Sequence, residues 1–355
     1  MRDPRRWRAF AVSVFLLGAA CFAGGDAEAP VGAQRDVGLL ACQVTDEAGV
    51  DDGGFNQMAH EGLERARVEL GAEIDFLESE DPRDYRPNIE ALVSRGCDLV
   101  VPVTLSLAEA TWTVADQNPD RSFAIMDFEA DPPLRNVRSL TFETEQAAFL
   151  AGYVAAATST TGSVATFGSL NLPSVTQLMD GFVKGVEYHN RERGTDVAVL
   201  GWNPERQSGV FAHNTRPTGG RRVARRLIES GADVLMPAMG AAQAVGLGAA
   251  QAAEEAGGVR LIWTGADGCV SSPAHCELII TSVVPNVDVA IFETVESVAR
   301  GTFRGGTYVG TLRNAGVGIE PFPAVRASVP GELREALGEI RRGVVDGTIP
   351  GAIPG

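Results

Sequence analysis

Short apolar runs alternate with longer helical patterns from residue 36 to residue 264, and this alternation limits the possible folds more than any other feature. Runs such as 37–44 and 98–103 have the length and composition of strands. The segment 56–70 lies between the run 37–44 and the next run, 74–77, and its apolar residues are spaced as on one face of a helix. Strands that alternate with helices form parallel sheets with the helices on their faces. The sequence therefore predicts an α/β fold.

Two distant stretches, 91–102 and 226–237, repeat one local pattern. Each has the end of a helix, then a glycine, an aspartate and an apolar run. Glycine after a helix supplies the left-handed cap, and aspartate before the run suits the turn into a strand. The repetition indicates two similar lobes. Because ligands of open parallel sheets bind beyond the carboxyl ends of the strands, we expect a ligand cleft between the lobes.

Carboxylates follow three of the predicted strands. Asp46, Asp127 and Asp267 lie just beyond apolar runs, where each can accept hydrogen bonds from hydroxyl or ring N–H groups of a ligand. Helix capping is a credible explanation for any one of them, but less so for all three. Phe55 and Phe211 lie near the same loops, and two rings can hold a flat aromatic ligand by offset stacking. Phe55 as an ordinary core residue is the competing interpretation.

The first 20 residues have the pattern of an export signal. Four arginines precede an uncharged, mostly apolar stretch, 9–20, which is too short to remain as a membrane span. Small residues lead into Cys21, which favours lipoprotein processing with a lipid on that cysteine. Cleavage after Ala29 is the alternative. We therefore expect 21–35 to be a tether, and the protein to be exported and anchored at the cell membrane by lipid alone.

The charge balance excludes two classes of partner. Without the first 20 residues, which hold four arginines and one aspartate, the chain has 26 basic and 45 acidic residues, a net charge of −19. Nucleic acid and anionic membrane surfaces both require basic patches, so neither is an expected partner.

Four cysteines remain after Cys21. Cys269 and Cys276 bracket a short loop, and an exported compartment permits a disulfide between them. Cys42 and Cys97 lie at the edges of apolar runs and are expected to be buried thiols. No Cys/His spacing indicates zinc, so neither a metal nor a cofactor is expected.

An ordered set of motifs resembles the basic membrane protein family of substrate-binding lipoproteins, which includes spirochaetal purine nucleoside receptors. The resemblance extends over residues 36–322. Each motif alone is weak, and their order along the chain carries the resemblance. The matching segments are 45–56, 145–156, 181–185, 231–234, 265–267 and 281–282.

The resemblance implies the type I periplasmic-binding-protein fold, with two Rossmann-like lobes joined by three crossover segments. Lobe 1 is expected at 36–142 with a return segment near 268–310, and lobe 2 at 143–267 with a C-terminal segment near 311–350. The implied function is that of an extracytoplasmic solute-binding protein, monomeric by default. It would bind a nucleoside or a similar small polar ligand by lobe closure and pass it to the permease of an ABC transporter.

The resemblance also implies roles for seven residues. Phe55 and Phe211 would sandwich the base. Asp46, Asn56 and Asp127 would hydrogen-bond polar edges of the ligand. The backbone near Gly240 and the carboxylate of Asp267 would serve the sugar hydroxyls. The family usually has a ligand-contacting lysine shortly after the 281–282 motif, and here Pro285 stands near that place. This departure leaves a different base, a modified sugar or another small polar molecule as alternatives.

An enzyme is the main alternative of another class. Asp46, Asp51 and Asp52 resemble the calcium-holding aspartates of nucleoside hydrolases, because clustered carboxylates suit a hard cation. Their spacing differs, however, and no catalytic histidine, phosphate loop or Ser-His-Asp context accompanies them. We therefore predict no enzymatic activity. A ligand sensor built on the same fold is the third interpretation.

Overall fold

The computed structural model describes residues 37–129, 131–213, 216–239, 243–320 and 331–349. The strands in this part of the chain are β1 (Leu40–Val44), β2 (Glu73–Leu77), β3 (Leu99–Pro102), β4 (Ser122–Met126), β5 (Val137–Phe142), β6 (Ser163–Gly168), β7 (Ala198–Leu200), β8 (Trp202–Asn203), β9 (Ser208–Gly209), β10 (Val234–Ala238), β11 (Arg260–Thr264), β12 (Ile279–Pro285), β13 (Gly306–Gly310) and β14 (Val317–Ile319).

Helices connect most of these strands. Among the helices described, none has both the length and the apolar character needed to cross a membrane. The helices are α1 (Phe55–Leu70), α2 (Tyr85–Ser94), α3 (Ala108–Gln117), α4 (Thr144–Thr158), α5 (Pro173–Arg193), α6 (Pro217–Glu229), α7 (Gln243–Ala256), α8 (Gly268–Ser271), α9 (Val287–Ala299) and α10 (Gly331–Val345), with 3-10 turns at Pro82–Asp84, Leu105–Leu107 and Pro273–Leu278.

Two six-stranded sheets form the centres of two lobes. The first sheet has the order β13-β5-β4-β3-β1-β2 and is parallel throughout. The second has the order β14-β12-β11-β10-β6-β7, with β14 antiparallel to β12. The short strands β8 and β9 pair with each other. The predicted α/β fold with two parallel sheets is confirmed.

Helices cover both faces of each sheet, which explains the unbroken apolar runs in the sequence. Strands β3, β10 and β12 are buried along their whole length. The first sheet packs under α1 and α9 on one face and under α2 and α3 on the other. The second packs under α4, α5 and α10 on one face and under α6 and α7 on the other. Each lobe therefore has a core on both sides of its sheet.

The return to the first lobe begins later than the predicted start at residue 268, so that boundary was wrong. Residues 279–285 form β12, which is wholly buried between β11 and β14 in the second sheet. The return begins at Asn286, after which α9 packs on α1 and β13 joins the first sheet. A largely apolar segment is stabilised by burial as a strand with neighbours on both sides, and it would lose that burial as a crossover segment.

The three segments that cross between the lobes are hydrogen-bonded to one another. The first follows β5, the second follows β12, and the third joins β13 to β14. The amide of Glu143 in the first crossing donates to the carbonyl of Gly310 at 2.8 Å, and the amide of Asn286 in the second donates to Gly316 at 2.9 Å. The side chain of Gln146 accepts from the amide of Leu312 at 2.9 Å. The three crossing segments are therefore held together by hydrogen bonds.

Cys42 and Cys97 are buried, but the expectation that they are thiols was wrong. They are joined as a disulfide with Cα atoms 6.0 Å apart. Cys42 lies on β1, and Cys97 lies two residues before β3, the strand that pairs with β1. Strand pairing brings the two side chains together, and sequence spacing alone does not reveal it.

The repeated aspartates Asp98 and Asp233 both tie strand entrances to neighbouring segments. The carboxylate of Asp98 accepts a hydrogen bond from the amide of Leu40 at 3.0 Å. The carboxylate of Asp233 accepts from the Ser159 hydroxyl at 2.7 Å and from the Thr161 amide at 2.9 Å, among other donors. Burial alone would raise the pKa of Asp233, but these hydrogen bonds outweigh it and lower the pKa.

The variant Asp233→Asn is expected to lower the free energy of unfolding by about 2 kcal/mol at pH 7, because hydrogen bonds to a charged acceptor are lost and an NH₂ group faces other donors. A lowered folded-state pKa stabilises the protein fully above the unfolded value of about 3.9 and less as the pH falls through the folded value. The deficit should therefore shrink below about pH 4. Urea denaturation at pH 7 and pH 3 measures the difference in free energy of unfolding between variant and wild type. The control is Asp116→Asn, at an exposed position. An equal deficit at both pH values would contradict this account.

Candidate functional site

The carboxyl end of β1 carries a cluster built around a buried amide. Asn56 is fully buried in the first turn of α1. Its Nδ2 donates to Asp46 Oδ1 at 2.8 Å and to Asp52 Oδ2 at 3.2 Å. Asp52 also accepts from the amides of Gly54 at 2.7 Å and Gln57 at 3.1 Å, and so caps the helix. The 45–56 motif thus fixes Asp46 at the strand end.

The same amide has an unused acceptor. Asn56 Oδ1 is buried and has no hydrogen-bond partner among the described residues. A buried carbonyl oxygen without a donor is unfavourable by about 1–3 kcal/mol. This atom is therefore a favourable place for a donor group of a bound molecule.

Phe55 lies beside this cluster and is half-buried. It packs against the apolar residues under α1. The remaining exposed part of the residue is available to a ligand. The structure thus supports the competing interpretation of Phe55 as a core residue without removing the predicted contact.

Asp127 follows β4 directly and has an unusual backbone. Its φ of 53° lies in the left-handed region, and its amide donates to the carbonyl of Leu140 at 2.9 Å. Few residues other than glycine adopt this conformation, although aspartate tolerates it better than most. The side chain is exposed, yet the surrounding protein removes enough solvation to raise the pKa of the carboxyl. Such strain is typical of functional positions.

The second lobe presents Asp267 after β11. Its carboxylate accepts from the amide of Cys269 at 2.8 Å, which caps the short helix α8. The next amide along the chain, that of Gly268, donates to the hydroxyl of buried Ser282 on β12 at 2.9 Å. The predicted disulfide partners lie here, with Cys269 and Cys276 joined and their Cα atoms 4.6 Å apart.

Glu320 is a candidate that sequence reasoning missed. It follows β14, and its amide donates to the carbonyl of Ser282 at 2.9 Å. Partial burial raises the pKa of its carboxyl, and the charges of Asp267 and Asp288 raise it further. Asp267 and Glu320 thus both lie in segments hydrogen-bonded to Ser282, and the charge of Asp267 acts on Glu320. No local motif marks Glu320, because an antiparallel strand near the end of the chain brings it there.

Phe211 lies at the expected edge but is used in packing. It forms a bridge with Gly168 at the end of β6 and is only 7% exposed. A β-carbon on Gly168 would lie 2.5 Å from the ring, and the ring meets Trp202 edge to face at 5.9 Å between centroids. The sandwich with Phe55 stays a prediction.

Two further predicted positions, Gly240 and Cys21, lie outside the described residues.

The two lobes meet beside these groups. A β-carbon placed on Gly53 of the first lobe would lie 3.3 Å from Cα of Ser271 in α8. The hydroxyl of Ser271 donates to the carbonyl of Asp267 at 2.9 Å. Gly53 in turn follows Asp52, which holds Asn56. Neighbouring residues therefore connect the Asn56 cluster to Asp267, with the backbone of Gly53 lying close to that of Ser271.

The alternative interpretation of Asp46, Asp51 and Asp52 is a calcium-holding cluster. Across the described ranges, no three histidine, cysteine or acidic side chains are placed to hold a metal ion. Asp46 and Asp52, two of the three aspartates that resemble a calcium cluster, are hydrogen-bonded to Asn56 instead.

Two known proteins are similar to this chain over most of its length. An uncharacterized lipoprotein of Pyrococcus abyssi is 29% identical over 315 residues, which cover 87% of this chain and 74% of the relative. The ABC transporter nucleoside-binding protein BmpA of Lactococcus lactis subsp. cremoris is 27% identical over 329 residues, which cover 88% of each chain.

Solved structures share the fold. An ABC transporter solute-binding protein from Conexibacter woesei aligns with a TM-score of 0.71 at 23% identity, covering 89% of this chain and all of its own. One from Aeropyrum pernix K1 aligns with a TM-score of 0.68 at 23% identity, covering 89% and 94%. The predicted type I periplasmic-binding-protein fold is confirmed.

The family model described as ABC transporter substrate-binding protein, PnrA-like, matches residues 40–337. That span contains both sheets and every described candidate residue. The resemblance predicted from the motifs is confirmed, and the chain belongs to the PnrA-like family of ABC transporter substrate-binding proteins.

Proposed function

We propose that this protein binds a nucleoside, or a small polar molecule of similar shape, between its lobes and delivers it to the permease of an ABC transporter. The observation that carries the proposal is the proximity of the Asn56 cluster to Asp267, which Gly53 and Ser271 connect. This proximity supports a ligand cleft bordered by polar groups of both lobes. The name of the Lactococcus lactis relative supports a nucleoside as the ligand.

Binding by lobe closure follows from this placement. A ligand that contacts Asp46 and Asn56 on one lobe and Asp267 on the other stabilises the closed arrangement, because it interacts with both lobes only there. Stacking on Phe55 would add about 1 kcal/mol. The carboxylates would select for hydroxyl and N–H donors.

The acidity of the site favours some ligands over others. Asp267 and Glu320 adjoin Ser282, and the place of the family lysine is taken by Pro285. A ligand with its own negative charge would meet repulsion that this lysine would otherwise reduce. The proposed ligand is therefore neutral or positively charged and rich in hydrogen-bond donors, and phosphorylated forms should be rejected.

The proposed location is the outer face of the cell membrane, with a lipid on Cys21. The lipoprotein name of the Pyrococcus abyssi relative supports it. Cleavage after Ala29 is the alternative, and the mass of the mature N-terminal peptide distinguishes the two.

A thermal-shift screen tests the function. The mature protein, refolded to remove bound ligand, is mixed with nucleosides, their 5′-monophosphates, free bases, sugars and amino acids. A nucleoside at 100 times its Kd should stabilise the protein by about 2.7 kcal/mol and raise the Tm, and its monophosphate should not. No response to any nucleoside would contradict the proposed ligand class. Release of free base would favour the hydrolase alternative instead. A sensor would give the same shifts and differ in its membrane partner.

A further inference from the structure

Residues 267–278, here called the α8 turn, carry a candidate ligand-binding carboxylate on a segment with little regular structure of its own. Helix α8 has four residues, far fewer than an isolated helix needs for stability. The 3-10 turn that follows, Pro273–Leu278, has no buried residue. Val270, within α8, is 55% exposed. The local sequence alone therefore gives this turn little rigidity.

Several features hold the turn in place, including a hydrogen bond from Arg260 to the carbonyl of Glu277 at 2.7 Å and one between the Ser272 hydroxyl and His275 at 2.9 Å. Two others bear directly on Asp267. At the start of the turn, buried Gly268 packs against Trp263 and Ile279 and donates its amide to Ser282. Beyond that point the Cys269–Cys276 disulfide closes the turn. The carboxylate of Asp267 accepts its hydrogen bond from the amide of Cys269 itself. The bonded cysteine is thus one of the groups that orient the carboxylate.

The same turn contacts the opposite lobe. Ser271, two residues after Cys269, lies against Gly53 and donates its hydroxyl to the carbonyl of Asp267. One disulfide therefore fixes both a candidate ligand contact and a contact between lobes.

We propose that the Cys269–Cys276 disulfide is a positioning element of the ligand site. It holds the α8 turn so that Asp267 faces the ligand and Ser271 meets Gly53 when the lobes are closed. The claim that Asp267 faces the ligand rests on the proposed function. The claim that Ser271 meets Gly53 does not. Because the turn is already ordered, less conformational freedom is lost when a ligand binds, and the affinity is higher.

The test compares two double variants. In Cys269→Ala/Cys276→Ala, the dissociation constant for inosine or adenosine should rise about tenfold or more through faster dissociation. Its Tm without ligand should fall less than that of the control, because the lost disulfide closes a shorter loop. In the matched control, Cys42→Ala/Cys97→Ala, the Tm should fall because a buried disulfide closing a much longer loop is lost. The nucleoside affinity of its folded fraction should not change.

Hydrogen–deuterium exchange supplies a readout that needs no ligand. Peptides covering residues 47–54 of the first lobe should exchange faster in the first variant than in the wild type, because Ser271 is no longer kept close to Gly53. A purely structural role in the second lobe would not change these peptides. Unchanged exchange at 47–54 overturns the inference, and so does unchanged affinity if the wild type binds. If the wild type binds neither nucleoside, the proposed ligand fails and the exchange result still decides the lobe contact.

Discussion

Replacing Gly185 with alanine is expected to lower the free energy of unfolding by about 3 kcal/mol or more. Gly185 lies on α5 where this helix crosses α4. A β-carbon there would lie 2.0 Å from the carbonyl oxygen of Phe149 and 3.0 Å from the amide nitrogen of Tyr153. Both atoms belong to the backbone of α4, so the clash is relieved only by moving the helices apart. The gain of about 1 kcal/mol in helix propensity is too small to offset this.

The contact has further members and a matched control. A β-carbon at Gly152 on α4 would clash with Phe182, and one at Gly181 on α5 would clash with Glu145. Alanine at either position should therefore also lower the free energy of unfolding. Gly338 on α10 is exposed with no atom within 4 Å of its β-carbon position. The control Gly338→Ala should stabilise the protein by up to about 1 kcal/mol. Urea denaturation followed by circular dichroism measures all of them. A stable Gly185→Ala variant would contradict the close helix contact.

The variant Asp267→Asn is expected to weaken nucleoside binding by about 10- to 100-fold, since hydrogen bonds to a charged acceptor contribute about 1.5–3 kcal/mol. The amide oxygen of asparagine can still accept from the amide of Cys269, so the cap of α8 is kept. The charge offered to the ligand is lost. The change should therefore appear in the Kd and leave the Tm of the free protein nearly unaltered. Isothermal titration calorimetry with the nucleoside found in the screen measures it.

Asp196→Asn provides the control for charge alone. Asp196 is exposed just before β7, an edge strand of the second sheet, whereas Asp267 follows the interior strand β11. The variant Asp196→Asn removes the same charge from the same lobe, and its affinity for the nucleoside should equal that of the wild type. Equal affinities for all three proteins would remove Asp267 from the site.

The fold was predictable because its signals are local. Strand runs, helix patterns and the glycine and aspartate of each strand entrance follow from backbone preferences and burial, which a short window of sequence contains. Asp98 and Asp233 illustrate this, since each lies at the entrance of a strand as the repeated pattern predicted, although their hydrogen bonds to neighbouring segments were not predicted. The late return at Asn286 was missed, because a buried strand looks the same whichever sheet it joins.

The site was less predictable because it depends on contacts between distant segments. Glu320 and Ser282 meet through strand pairing, and Cys42 meets Cys97 in the same way. The motifs at 145–156 and 181–185 served to identify the family, yet their glycines allow α4 and α5 to pack closely. A motif thus identified the right family without revealing which of its residues face a ligand.

The three crossings between the sheets have a consequence for the order in which the molecule can be completed during synthesis. The first sheet needs β13, so residues 37–142 cannot form the finished first lobe when they leave the ribosome. They must wait for α9 and β13, more than 140 residues later in the chain. The second lobe in turn needs β14. Neither lobe is encoded by one continuous stretch, and the nascent chain remains incomplete, with unpaired strand edges, until nearly all of it has been made.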